Sequence, residues 1–287
     1  MNSKRQVIFD FGANSGQNIK YFLSRADKVI AIEANPVLCA ALRADFSEDI
    51  ASGQLVIENY VITDVDTLTS KFVNFYISNT NSVLSQFPIP KNIGDFTKIE
   101  LPSATASQIV RQHLHEGENL LYIKIDLEGY DVLILKNLFC NGIYPEYISA
   151  ESHSIETFAS ILNCGEYKAF ALVEGINVPN LEWVTSEGDT KNFKAHSAGP
   201  FGLDIQSPWF DAQTFFQVLF YNKLGWKDVH ASKNSNGITE SLSISWVIRK
   251  EFAILAFRIY SHLVPFKIRK YISRLKYLLR SLRINTR

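Results

Sequence analysis

Short apolar runs alternate with helix-period stretches along the first 174 residues of the 287-residue chain. The runs QVIFDFG (6–12), KVIAIEAN (28–35), QLVIENYVI (54–62), KFVNFYIS (71–78), LLYIKIDLEG (120–129), EYISAES (146–152) and YKAFALVE (167–174) predict strands. Between them lie predicted helices at 17–25, 36–46, 104–114, 130–139 and 154–163, the second opened by Pro36, whose missing N–H costs nothing at a helix start. Strands alternating with helices imply a mostly parallel sheet covered by helices on both faces. From Gly175 to about Gly237 the alternation breaks into a stretch rich in Gly, Pro, Asn, Ser and aromatics, which reads as an irregular substrate or lid insert. SLSISWVIRK (241–250) predicts a last strand. The boundaries that follow are a main domain over 1–248, with its insert at 175–240, and a tail over 249–287.

The tail has its own pattern. Ile268, Tyr271, Ile272, Leu275, Leu278, Leu279 and Leu282 fall within an arc of about 120° on a helix, and Lys and Arg occupy the rest. Charge sharpens this. Residues 249–287 hold eleven Lys and Arg against one acid, while the rest of the chain holds 18 basic and 28 acidic residues, so a net charge of zero conceals an acidic body and a basic tail. A basic amphipathic helix suits an anionic membrane surface, here through residues 266–287. Docking on an acidic partner, including a second copy of the chain in a homo-oligomer, and packing as a terminal helix on its own domain are the other readings. No nucleic-acid partner is expected, because no nucleic-acid module accompanies the basic residues.

No apolar stretch reaches the roughly 18 residues of a membrane span, and MNSKRQ is followed by VIFDFG rather than by a secretory signal. A cytoplasmic protein is expected, peripheral on the inner face of a membrane if the tail binds lipid. Cys39, Cys140 and Cys164 lack CxxC spacing and read as reduced, buried thiols.

The chemistry gathers at predicted strand ends. In an open α/β sheet, ligands sit beyond the carboxyl ends of the strands. In DFGANSG (10–16), Gly12 permits a tight turn and Gly16 permits close approach of a ligand, with Ala13 and Asn14 between them. The spacing G-x-x-x-G lacks the middle glycine of the dinucleotide fingerprint, and no P-loop lysine follows. Asp10 is a carboxylate in an apolar strand, which is costly unless a cation meets it. Glu33 ends the second strand, where an acidic side chain can accept both hydrogen bonds of a ribose diol. Asp10, the turn, Glu33 and Asn35 together suit S-adenosylmethionine.

YIKIDLEGYDVLILKNL (122–138) closely resembles the strand–helix signature of FkbM-type methyltransferases, K-I-D-x-E-G-x-E-x-x-V-L-x-G, and the turn at 10–16 resembles that family's donor-binding turn. The resemblance runs over residues 6–174, with Asp131 where glutamate is common and Asn137 where glycine is common. SAGPFGLDIQSPWF with GWKDVHAS also looks like a C-terminal part of some bacterial members. The resemblance implies a class I, Rossmann-like methyltransferase fold with a mostly parallel seven-stranded sheet, to which the tail adds its basic helix. It further implies transfer of a methyl group from S-adenosylmethionine to hydroxyls of sugars or polyketide-like natural products.

Methyl transfer to a hydroxyl benefits from alignment and from a base. His153 is the candidate general base, with Asp126 shaping the reaction pocket and Glu128 orienting substrate or donor. A helix cap and an ion pair of Lys124 with Asp126 are the structural alternatives. Glu151, His196, Phe201 and Trp209 are candidate substrate contacts, with Asp204 as a polar neighbour, and packing of the aromatics against the core is the alternative. A divalent metal such as Mg2+ on Asp126, Glu151 and His153 is an alternative without a short-range motif in its favour. The function expected is O-methylation of a sugar in a glycan or glycolipid precursor. The alternatives are a small soluble natural product as acceptor, a donor-binding fold without catalysis, and a nucleic-acid methyltransferase.

Overall fold

A computed structural model describes residues 4–64, 71–81, 84–243, 245, 247–252 and 255. It comprises two compact units, 1–239 and 240–287.

In the first unit, β1 (Gln6–Phe11), β2 (Lys28–Ile32), β3 (Leu55–Glu58), β7 (Asn119–Ile125) and β8 (Tyr147–Glu151) run parallel in the order β3-β2-β1-β7-β8. β13 (Lys227–Ser232) lies antiparallel between β8 and β9 (Ala169–Glu174). Two short strands, β12 (Trp209–Phe210) and β14 (Ile238–Thr239), extend the edge, so the sheet has nine strands rather than the seven expected. The central strands are apolar on both faces because both faces are covered.

The helices begin within two residues of where the sequence places them: α1 (Ile19–Leu23), α2 (Pro36–Asp45), α4 (Ala106–His113), α5 (Asp131–Cys140) and α6 (Ile155–Asn163). The caps explain this. Asn35 Oδ1 accepts from Val37 N before the proline, and Thr105 with Gln108 forms a reciprocal capping box. A short α3 (Ser47–Ala51) follows α2.

Several expectations give way. The run 54–62 is two elements, β3 and β4 (Val61–Thr63), separated at Asn59, whose side-chain amide donates to the carbonyls of Glu33 and Ala34. β4 joins β6 (Phe96–Thr105) and β5 (Phe72–Ser78) in a separate three-stranded sheet around Val61, Phe75 and Leu101. The stretch 175–237 is not an irregular insert. It holds a hairpin of β10 (Glu182–Val184) and β11 (Thr190–Asn192), the helix α7 (Ala212–Asn222), and β13, a central strand of the main sheet. The predicted strand at 241–250 is also overturned: residues 247–252 are helical, with Val247 N donating to Ser243 O. Cys140 is exposed and Cys164 half-buried, and only Cys39 is buried. The amphipathic pattern over 268–282 lies outside the described residues.

The segment 196–205 completes the core on the α1 face. Phe201, 5% exposed, stacks on Tyr122 with ring centroids 4.2 Å apart and packs edge-on against Phe22 and Tyr147. Tyr21 of α1 donates its hydroxyl to Asp204 and accepts from Phe201 N, and Arg25 pairs with Asp204 at 2.6 Å. Asn18 Oδ1 accepts from Ser197 Oγ and Ala198 N.

Candidate functional site

The carboxyl ends of the strands form a row set by the sheet order. After β2 come Glu33 and Ala34; after β1, Gly12 and Asn14; after β7, Asp126 to Glu128; at β8, Glu151 to His153; and at the start of β13, Trp226 to Asp228. A cleft of about 650 Å3 opens over the first part of this row. Its floor includes Gly12, Asn14, Ile32, Glu33, Asp126 and Glu128. Its roof comes from the small sheet, with Phe75, Ser85, Gln86 and Phe87.

The first turn is held by backbone. Gly12 N and Ala13 N both donate to Ile32 O at 3.0 Å, and Asp126 N donates to Phe11 O. Gly12 has φ +88, and a Cβ there would stand 2.0 Å from Asp126 O. Gly16 meets a different need from the one expected: a Cβ would press on Leu42 at 2.6 Å, so it makes room for α2 rather than for a ligand. Ala13 is buried and outside the cleft lining, and Asn35 spends its side chain capping α2.

Glu33 is buried with both oxygens engaged, Oε2 accepting from Asn14 N at 2.8 Å and Oε1 from Asn35 N at 2.7 Å. Burial raises its pKa, and these two N–H groups offset part of the rise. Its carboxylate forms part of the cleft wall beside Asn14, a non-glycine residue at φ +48.

Asp10 is placed otherwise than expected. It is wholly buried, outside the cleft lining, and the cation that meets it is Lys124, Nζ to Oδ1 at 3.0 Å. The same ammonium donates to Gly12 O at 2.9 Å and lies 3.4 Å from Asp126 Oδ2. Burial works against the charge of Lys124, but Asp10 and Asp126 outweigh it and hold the pKa up. Lys124 therefore ties the first turn to the end of β7.

Next to it lies an acidic cluster. Burial and repulsion from Asp126 and Glu151 push Glu128 up to about 7, with His153 offsetting part of that. Asp131, buried in the first turn of α5, rises to about 7 by burial and by Asp126. Asp228 stands opposite Glu151 across the β8–β13 pair; burial, then Asp126 and Glu151, raise it well above its ordinary value. His153 Nε2 bonds Glu151 at 2.8 Å, and that bond lifts the imidazole to about 9 against the opposing effect of burial. The ring is thus charged at neutral pH, and it sits beside Gly129 rather than in the cleft lining. Among the described residues, no three His, Cys, Asp or Glu side chains are grouped to hold a metal ion.

Two expected substrate contacts belong to the core. Phe201 lies under the sheet as described, and Trp209 packs against Tyr147 near the opposite end of the strands from the cleft. They resemble a lid in sequence because an aromatic without period shows no partner. His196 is exposed at φ +61 and stacks on Trp226 at the β13 end of the row. The roof residues and Tyr130 were not legible as site residues. Tyr130 bonds Asp64 through its hydroxyl and packs edge-on against Phe87 at 5.2 Å.

The Methyltransferase FkbM domain model matches residues 10–170, more than half of the chain. The chain belongs to the FkbM methyltransferase family. It is an S-adenosylmethionine-dependent methyltransferase, and its β3-β2-β1-β7-β8 order with an antiparallel β13 is the class I arrangement expected of it. Solved structures similar to this methyltransferase include precorrin-6y C5,15-methyltransferase from Geobacter metallireducens (12% identity, 81% of this chain, 83% of that one, TM-score 0.35). An S-adenosylmethionine-dependent O-methyltransferase from Thermotoga maritima is also similar (9%, 84%, 62%, 0.33), as is spermidine synthase from the same organism (10%, 83%, 55%, 0.34). No curated protein matches the chain.

The cleft fits the family's methyl donor in its chemistry. Glu33 offers a fixed carboxylate, Ile32, Ala34, Val61, Ile62 and Phe75 offer an apolar wall, and the Asp126 and Glu128 side chains suit a cationic sulfonium and amine. Among the described residues no helix is long and apolar enough to cross a membrane.

Proposed function

We propose that this methyltransferase methylates a hydroxyl of a sugar in a glycan or glycolipid precursor. The observation that carries the O-methylation is Glu128: it lines the cleft, has no hydrogen-bond partner among the described residues, and has a pKa of about 7. A carboxylate titrating near the working pH is matched to taking the proton of a hydroxyl as its oxygen attacks. Bound S-adenosylmethionine supplies an electrophilic methyl carbon on its sulfonium.

The chain's own residues do the rest. Glu33 and the turn at Gly12 and Asn14 bind the donor at one end of the cleft. Asp126, held by Lys124, and Glu128 face the reacting end. His153, charged through Glu151, serves better as a cationic neighbour that steadies the ionised Glu128 than as the base itself. The roof covers one side of the cleft, which favours the sheltered alignment that such a displacement needs. A sugar is supported by the hydrogen-bond acceptors Asp126, Glu128 and Glu151 in a row of strand ends that continues to an exposed aromatic, Trp226. Mg2+ is not required by this scheme.

Incubation with labelled S-adenosylmethionine and separated cell-envelope and cytosol fractions tests the reading. Label on an envelope glycan is the expected result; label confined to small non-sugar molecules overturns it. Binding of the tail to an anionic membrane is proposed on its sequence pattern. Flotation with anionic liposomes should be lost on deleting residues 266–287.

A further inference from the structure

We infer that Trp226, with His196 stacked on it, is the platform that selects the acceptor, holding the ring face of a sugar beside the Glu151–His153 pair. The inference rests on the sugar reading above and adds to it the residue that recognises the sugar.

Backbone bonds fix where Trp226 stands. Ser152, which lies between Glu151 and His153, accepts from Gly225 N at 3.2 Å and donates its own N–H to Lys227 O at 2.7 Å. The two residues flanking Trp226 are thus both bonded to the residue between the dyad's members. On the other side, Gly175 N donates to Trp226 O at 3.1 Å. The indole is therefore anchored at the ends of β8 and β9, next in the row after the carboxylates of β7.

The ring's environment is also built. A Cβ on Gly175 would meet three indole atoms at 2.5–2.8 Å, so only glycine lets the ring lie there. His196 stacks at 5.4 Å and 27°, at a backbone φ of +61 that a histidine seldom adopts. Yet Trp226 remains 45% exposed, and its neighbours Leu224 and Ile176 are exposed as well. The ring is positioned by Gly175 and His196 and left open. An open indole, at a backbone position whose two neighbours bond the residue between Glu151 and His153, suits a ring with apolar C–H faces and hydroxyl edges, the character of a pyranose. Order along the sheet separates this platform from the donor: Glu33 and Gly12 lie on β2 and β1, and Trp226 lies beyond β7 and β8.

Saturation-transfer NMR on the full chain with S-adenosylhomocysteine and a panel of methyl hexosides, 6-deoxyhexosides and N-acetylhexosaminides tests this without turnover. Ring C–H protons of at least one glycoside should saturate in the wild type. Trp226→Ala should reduce that signal about fivefold and Trp226→Phe restore most of it, in line with the loss and return of an aromatic face. Gly175→Ala, which pushes the indole aside, should act in the same direction as Trp226→Ala. Calorimetric affinity for S-adenosylhomocysteine should stay unchanged in all three, which also reports that they fold. A glycoside signal undiminished in Trp226→Ala overturns the platform and leaves the sugar reading standing. A loss of S-adenosylhomocysteine affinity in Trp226→Ala overturns it too, by assigning the indole to the donor. No glycoside signal in a wild type that binds S-adenosylhomocysteine overturns the sugar reading and the platform with it.

Discussion

The first turn, 10–18, and the segment 196–205 are bonded to each other, and they teach opposite lessons. The turn is polar and glycine-rich, and its work is local: Gly12 and Ala13 donate to the backbone of Ile32, and Asn14 donates to the Glu33 carboxylate. The segment also holds two glycines, with Pro200 between them, yet its work is distant. Phe201 packs against Tyr122, Phe22 and Tyr147, and Asn18 at the end of the turn holds Ser197 and Ala198. One region builds the site; the other builds the core that keeps the site's first helix in place.

The sharpest way to break this comparison is Phe201→Ala. If the segment is core, emptying a site stacked on Tyr122 should cost about 3–5 kcal/mol in urea unfolding. An unchanged unfolding midpoint with a raised acceptor KM would return the segment to the role of a lid. Gly12→Ala attacks the other region. A Cβ 2.0 Å from Asp126 O, at φ +88, must displace β7's end or the turn, a strain of about 3 kcal/mol. Methyl transfer should fall below detection and calorimetric binding of S-adenosylmethionine should be lost. Retained affinity would show that the turn does not hold the donor.

How far each region could be read follows from where its constraints lie. The turn, Glu33 and the KIDLEG loop carry their meaning in adjacent residues, so the strand ends and the helices between β1 and β9 were legible, while the cap role of Asn35 was not. Asp10 was legible as an anomaly, but its partner Lys124, 114 residues on, was not. Strand β6, which pairs with β5 behind the roof residue Phe75, was hidden because FTKIELPSAT alternates poorly and ends in Ala104 and Thr105, which also read as the opening of a helix. β13 was hidden because KDVHAS places Asp228 and His230 in a central strand, where polar residues are rare. Only the cross-strand pairing of Asp228 with Glu151, and the burial of His230, show how that strand fits.

The carboxylates of the site give the next two tests. Glu128→Gln removes the proposed base and should lower kcat about 100-fold. In the wild type, kcat/KM should rise with pH through about 7 as Glu128 ionises, and that limb should vanish in the variant. The sign for stability is opposite. A carboxyl whose folded pKa lies above its ordinary value disfavours folding once ionised, so Glu128→Gln should be more stable than wild type above pH 7. A pH limb that survives the substitution would move the base elsewhere. Glu33→Gln tests the donor end. One half of the new amide must present N–H groups to Asn14 N or Asn35 N, which are donors themselves. Affinity for S-adenosylmethionine should weaken about tenfold, the scale of one charge-assisted hydrogen bond. Equal affinity would remove Glu33 from donor binding.

The smallest effect separates the acceptor end of the row from the turn. The Glu151 carboxylate lifts His153 to about 9. Because the folded value lies above the ordinary 6.5, the pair's contribution to stability is complete below about pH 6.5 and is lost as pH rises through about 9. His153 is 42% exposed at its side chain, so solvent screening keeps that contribution under about 1 kcal/mol. The stability difference between wild type and Glu151→Gln should therefore shrink from pH 6.5 to 9, whereas the difference between wild type and Phe201→Ala should not change over that range. The ring protons of His153, followed by NMR, should titrate near 9 in the wild type and move down toward 6.5 in Glu151→Gln. An imidazole already titrating near 6.5 in the wild type would be neutral at working pH, and His153 would then compete with Glu128 for the role of base.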